Sequence, residues 1–269
     1  MSARRTPPFS LASFNRGVGA LEERQNLRTT HLRVWAGSQI MLTWLIDHAE
    51  ELGLLQPGTT IIELGSGTGW MLLNLACLLP NLHVTLSEQQ HAIAALQSNV
   101  DWACAEEPSL LGRVEVLALA WEDVATSALS AAWDFIVGCD LLYSEDTLRT
   151  LPNALHGLMQ AAGPATRCFY AHTPRRKRFV DEQWRQAFAQ HGLSVEPVPD
   201  DDGALSAAGH PPPADAASRA ASDKAWLPDG GLFAEEDAQV REDPLREGLQ
   251  IFSVCISTFR GMRAHTDNR

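Results

Sequence analysis

Thr59-Thr60-Ile61-Ile62-Glu63-Leu64-Gly65-Ser66-Gly67-Thr68-Gly69-Trp70 is a short apolar run that ends in an acid and passes into three alternate glycines. The pattern predicts a buried strand, a tight turn and then a helix. Glycines there let the backbone turn sharply, adopt φ > 0 and leave room for a ligand against the main chain. A nucleotide-like cofactor is the usual occupant of such a turn. A dinucleotide fingerprint wants glycine at the first, third and sixth positions, but here the sixth is Trp70 and the last glycine comes early, at Gly69. No Gly-Lys-Ser/Thr follows, which excludes a phosphate-cradling loop. The spacing favours S-adenosyl-L-methionine over a dinucleotide.

Outward from this stretch the chain alternates helices and strands. Upstream, Trp35, Ile40, Met41, Trp44, Leu45, Ala49 and Leu52 fall at helical spacing and Gly53 supplies a stop, predicting a helix over 32–52 beside the sheet. Downstream, Trp70 to Leu79 predicts a crossover helix broken by Pro80-Asn81. Leu82 to Ser87 alternates as a second strand that ends at Glu88. An acid about 20 residues past a glycine turn is placed to grip a ribose diol, since a carboxylate accepts from both hydroxyls. The plainer alternative makes Glu88 an acid at the positive end of a helix over 91–102.

Arg113 to Ala118 predicts a third strand, followed by Trp121. Trp133 to Cys139 is strongly apolar and predicts a buried fourth strand delivering Asp140-Leu141-Leu142-Tyr143 at its carboxyl end, the edge where open α/β sheets bind ligands. Asp140 and Tyr143 stand three apart around a helix start, so both can face one opening. Gly138 and Cys139 are small enough to let a cofactor come close. A helix over 147–159, a fifth strand over 165–172, a helix from Arg175 to about His191, a sixth strand over 193–198 and a last strand over 249–259 complete the chain. The cluster Arg175-Arg176-Lys177-Arg178 reads as a solvated helix face, with contact to an acidic substrate or RNA as the alternative.

A chain of 269 residues suits one α/β domain with decorations and can bury a large core without staples. The five cysteines form no Cys-x-x-Cys pair and read as reduced core thiols of an intracellular protein. Thirty-three acidic against 21 basic side chains give a formal charge of −12, which argues against non-specific nucleic-acid binding and would attract a basic protein partner. No run approaches the ~18 apolar residues of a spanning helix, so we expect a soluble protein. Met1 to Asn15 carries Arg4, Arg5 and three serines without an acid, so a transit peptide stands beside an ordinary disordered tail as a reading.

The stretch 200–247 holds 12 acids and 4 bases, a Pro211-Pro212-Pro213 run and few large apolar residues. Such composition cannot bury enough surface to offset its ordering entropy. We therefore expect an N-terminal extension over 1–31, partly disordered; one domain over 32–199 plus 248–260; a disordered acidic insertion over 200–247, in the hairpin between the last two strands; and a tail over 261–269.

Glu63-Leu64-Gly65-Ser66-Gly67-Thr68-Gly69 resembles motif I of the seven-strand S-adenosylmethionine-dependent methyltransferases. With Arg33-Val34-Trp35 upstream and Asp140-Leu141-Leu142-Tyr143 downstream, the chain is similar to methyltransferase family 16, whose characterised members mostly methylate lysines of proteins. The match spans roughly Trp35 to His191 plus the last strand. The resemblance implies an α/β fold with a Rossmann-like seven-strand sheet, mostly parallel, with an antiparallel last strand and helices on both faces. It implies that Trp35, Glu63, Gly65, Ser66, Gly67, Gly69, Glu88, Trp121 and Cys139 line the cofactor site. Trp121 would offer a π-face to the adenine. Ala120 stands where the family often carries an acid, a departure that removes one polar contact. Asp140 would orient an incoming ammonium and Tyr143 would wall the channel and hydrogen-bond the amine. On the alternative reading Asp140 is a helix cap and Tyr143 a packing residue.

The expected activity is therefore methyl transfer from S-adenosyl-L-methionine to a lysine of a protein substrate, with no metal. We expect a monomer in the cytoplasm, with the nucleus or an organelle as other compartments, and neither membrane nor nucleic acid as partner. Amide- and adenine-nitrogen enzymes place Pro-Pro where this chain has Leu141-Leu142, and cytosine enzymes need Pro-Cys where it has Gly138-Cys139. No Gly-x-Ser-x-Gly elbow or Cys/His nucleophilic pair is present. Two alternatives stand beside this: a methyltransferase acting on another protein side chain or a small molecule, and a catalytically silent cofactor-binding interaction module.

Overall fold

The computed structural model describes residues 8–9, 34–124, 133–173, 178–198 and 250–256. The acidic insertion over 200–247, the tail over 261–269, nearly all of the extension over 1–31 and the basic residues Arg175 to Lys177 lie outside the described residues.

The strands are β1 Thr60–Leu64, β2 His83–Glu88, β3 Val114–Ala118, β4 Phe135–Cys139, β5 Arg167–His172, β6 Leu193–Pro197 and β7 Gln250–Ile256. They form one sheet in the order β3-β2-β1-β4-β5-β7-β6. The pairings from β3 through β5 are all parallel, whereas β7 runs antiparallel to both of its neighbours. The helices are α1 Ala36–Asp47, the single turn α2 Ala49–Leu52, α3 Trp70–Leu78, α4 Ile93–Glu106, α5 Glu145–Ala162 and α6 Arg178–Gln190.

Alternate strand residues face opposite sides of the sheet, and the core divides accordingly. Ile61, Phe135 and Val137 pack beneath α1, α3 and α4, while Ile62, Ile136 and Tyr170 pack beneath α5 and α6. Every residue of β4 is buried, as expected for a parallel strand covered on both faces. At the amino ends Asp134 ties β4 to β1: its Oδ2 accepts from the Thr60 backbone N–H at 2.9 Å and the Thr60 hydroxyl at 2.8 Å.

Several element boundaries shift by a few residues from the sequence expectation. Helix α5 starts two residues earlier than expected because Ser144 caps it, accepting from the Thr147 N–H at 3.2 Å in a capping box. The N-terminal extension also has an anchored point. Asn74, the one polar residue of α3, is fully buried and accepts the Phe9 N–H at 2.9 Å, while the Trp70 indole donates to the Phe9 carbonyl at 3.0 Å. The Phe9 ring lies against Trp102 at 5.4 Å.

Burying a phenylalanine is worth roughly 2 kcal/mol. Phe9→Ala should therefore lower the unfolding free energy by about that amount, read as a lower urea midpoint by tryptophan fluorescence. An unchanged midpoint would mean that Phe9 contributes nothing by docking on α3 and α4.

Candidate functional site

Chain order along the sheet reverses between β1 and β4, so the crevice opens at their carboxyl ends. The glycine turn sits there. Gly65, Gly67 and Gly69 have φ of 60°, 54° and 77°, a left-handed backbone that a Cβ penalises at each position. The turn is stitched to β2: the Ser66 N–H donates to the Ser87 carbonyl at 2.9 Å and the Gly67 N–H to Glu88 Oε1 at 3.0 Å. Ser87 in turn donates its hydroxyl to the Glu63 carbonyl at 2.7 Å. The space freed by the missing side chains is partly filled from within. A Cβ on Gly65 would stand 2.5 Å from Leu141 Cδ2, and one on Gly69 2.9 Å from Leu96 Cδ1. These two glycines thus also let neighbouring segments close on the turn.

Glu63 is 2% exposed, and its Oε2 has no hydrogen-bond partner. Burial, then the nearby Glu88 carboxylate, pushes its carboxyl up from 4.5 to about 8, partly offset by the Ser66 hydroxyl and the Leu72 N–H. An orphaned buried carboxylate oxygen at the mouth of a glycine turn fits a donor arriving with a ligand, such as the ammonium of S-adenosyl-L-methionine. Glu88 Oε2 accepts from the Gln89 N–H at 2.9 Å, and burial raises this carboxyl too. These bonds go to the turn and to its own neighbour, while α4 begins only at Ile93. Each carboxylate oxygen keeps a second lone pair, so Glu88 can close the turn and accept from a ribose hydroxyl.

Asp140, the first residue past β4, is 6% exposed and has φ of 55°, the one positive φ among the described non-glycine residues. Its Oδ1 accepts from the Thr173 N–H at 2.9 Å and its Oδ2 from the Gly37 N–H at 3.1 Å, at the start of α1. The carboxylate expected to face an ammonium therefore faces two backbone donors, and the helix it caps is α1. Leu142 donates its N–H to the Tyr170 hydroxyl at 3.2 Å. Tyr170 escaped the sequence reading; the available signal was a tyrosine inside an apolar strand, where a buried hydroxyl must find a partner.

Tyr143 is 37% exposed on the rim, its N–H donating to the Thr147 hydroxyl at 3.2 Å. Cys139 is buried with Sγ 3.7 Å from Met71 Sδ; burial first, then Glu63 and Asp140, push its thiol well up, so it is no thiolate nucleophile. Trp35 is the N-cap residue of α1, two positions before Gly37. Trp121 is buried in the cluster with Leu119, Val124 and residues of α5. The structure thus gathers Glu63, the glycine turn, Glu88, Cys139 and Asp140 at one edge, brings Trp35 there through α1, and sets Trp121 in the core.

Among the described residues no three His, Cys, Asp or Glu side chains gather as a metal site. A cleft of about 420 Å³ opens at the opposite, amino edge, lined by Leu52, Pro57, Thr59, Asp134, Phe135 and Arg167 among others. Its charged groups already have partners. Asp134 holds Thr60, and the Arg167 guanidinium lies over Phe135 and Phe169 at 5.8 and 5.2 Å. The crevice at the carboxyl edge remains the candidate site.

A family model described as lysine methyltransferase matches residues 18–186. EEF1A lysine methyltransferase 3 of Xenopus tropicalis is 31% identical over 134 residues, covering 50% of this chain and 55% of that protein. Protein N-lysine methyltransferase METTL21A of Mus musculus is 29% identical over 147 residues, covering 54% of this chain and 64% of that protein. The chain thus spans between half and two thirds of the length of these curated relatives. With more than half of its residues matched to that model and the glycine turn, Glu88 and the Asp140 loop in their places, the chain belongs to methyltransferase family 16, the lysine methyltransferases.

Proposed function

We propose that this protein transfers a methyl group from S-adenosyl-L-methionine to a lysine side chain of a protein substrate. The observation that carries the reading is the buried Glu63 carboxylate with its unpartnered oxygen, set behind a left-handed glycine turn at the switch point of the sheet. The lysine-acting relatives support the choice of acceptor. Five cysteines without a disulfide suit a reducing compartment, and we place a monomer in the cytoplasm.

When bound, the cofactor supplies an electrophilic methyl on sulfur for in-line displacement. The protein's own work is positioning and exclusion of water. Glu63 would hold the ammonium end of the cofactor, Glu88 would accept from the ribose hydroxyls, and the glycine turn would lie beside it. Lysine, with a reference pKa of about 10.4, must shed a proton before it can attack. Leu141 and Leu142 supply apolar, buried surface at this edge, and the half-exposed Tyr143 ring walls the approach of the amine.

Transfer of tritiated methyl to a proteome extract tests this reading, with Glu88→Ala as the comparison. We expect a labelled protein whose modified residue is lysine by mass spectrometry, with the label lost in Glu88→Ala. An extract that stays unlabelled while the wild type binds the cofactor calorimetrically would overturn it.

The state of Glu63 also gives a pH signature. Its carboxyl ionises near 8 in the fold against 4.5 as a free group, so the folded state holds an extra proton between those values. The contribution of Glu63 to stability therefore falls as pH rises through that window. In thermal unfolding Glu63→Gln should match the wild type at about pH 5 and exceed it at about pH 8. Parallel pH profiles for the two proteins would contradict the assignment.

A further inference from the structure

A left-handed backbone at a non-glycine residue is costly and persists where the surroundings over-determine it. At Asp140 (φ 55°) the surroundings are three hydrogen bonds to two separate segments. The Asp140 N–H donates to the Ala171 carbonyl at 3.0 Å and Oδ1 accepts the Thr173 N–H, both at the end of β5. Oδ2 accepts the Gly37 N–H, at the start of α1, from 103 positions away in sequence. A carboxylate accepting backbone N–H bonds is among the stronger hydrogen-bond arrangements a protein makes.

The next two residues carry this geometry to the glycine turn. Leu142 is pinned by the buried Tyr170 hydroxyl. Between these fixed points Leu141 projects over both central strands: a Cβ on Gly65 would stand 2.5 Å from its Cδ2, and one on Gly138 2.9 Å from its Cδ1. Leu141 therefore rests on the first glycine of the turn, and the conformation of Asp140 sets where it rests.

We propose, resting on the cofactor reading above, that Asp140 is a positioning residue that buckles the start of α1 and the end of β5 onto the glycine turn. Its carboxylate acts through backbone and Leu141 on the cofactor site and does not touch the acceptor amine. Cofactor affinity then depends on Asp140 with no acceptor present. By reciprocity, a bound cofactor protects the Gly37 and Thr173 amides.

The test is calorimetric binding of S-adenosylhomocysteine to the full chain, together with amide hydrogen exchange. Asp140→Asn keeps the shape and a tolerance of left-handed backbone, but its amide offers one acceptor oxygen where two N–H groups need one each. We expect a dissociation constant weaker by roughly tenfold and faster exchange at Gly37 or Thr173. The second variant is Gly37→Ala, whose Cβ would stand 2.7 Å from Asp140 Oδ2. It should weaken binding in the wild type and have no further effect in Asp140→Gly, where the carboxylate is gone and glycine suits the backbone. Additive effects of these two substitutions would overturn the coupling.

Asp140→Asn that binds S-adenosylhomocysteine like the wild type, with unchanged exchange and lost methyl transfer, would overturn the proposal and return Asp140 to the acceptor. Wild-type protein that binds no S-adenosylhomocysteine would overturn the cofactor reading and the proposal with it.

Discussion

The turn from Gly65 to Gly69 exists only because its three glycines take left-handed backbone, and the rest of the carboxyl edge is arranged to hold it in that form. Glu88 and Ser87 stitch it to β2, Leu141 closes on Gly65, and Leu96 closes on Gly69. The ties come from β2, from the loop after β4 and from α4, so the turn is pre-formed by packing and waits on no ligand for its shape. Pre-organisation of this kind lets a cofactor's binding energy go into orientation, since the loop has already lost its conformational freedom.

The same edge carries an electrostatic tension. Two carboxyls, Glu63 and Glu88, are both pushed up by burial, and Glu88 adds to the rise at Glu63. A cation entering the crevice offsets both the desolvation of an ionised Glu63 and its repulsion with Glu88. A neutral ligand relieves neither. The site thus discriminates by charge before any steric fit, which suits a ligand carrying an ammonium and a sulfonium. The buried Cys139 thiol beside them shifts in the same sense: burial first, then Glu63 and Asp140, hold it protonated and unreactive.

Much of the fold was legible in the sequence because the signals are local. Apolar runs bounded by glycine, proline or a cap mark β1, β4, α3 and α5 within a few residues, and the acid ending β2 sits where a ribose would need it. What stayed hidden spans long separations. Asp140 meets Gly37 across 103 positions, Phe9 meets Asn74 across 65, and Tyr170 meets Leu142 across 28. No periodicity encodes such pairings, because they depend on which strand ends the sheet order brings together. Asp140 and Tyr143 could be picked out as polar residues at a strand end, but the direction of the Asp140 carboxylate is a tertiary fact. Leu141 shows the same limit from the apolar side: in the sequence it is one leucine of a pair, and in the fold it is the wedge between two glycines.

The central claim is that Glu63 waits protonated for a cationic cofactor behind the glycine turn. Calorimetric binding of S-adenosyl-L-methionine at neutral pH, repeated in buffers of different ionisation enthalpy, measures this directly as protons exchanged. The account predicts binding with release of close to one proton per cofactor, and binding without that release in Glu63→Gln. No binding, or binding by the wild type with no net proton exchange, would contradict it.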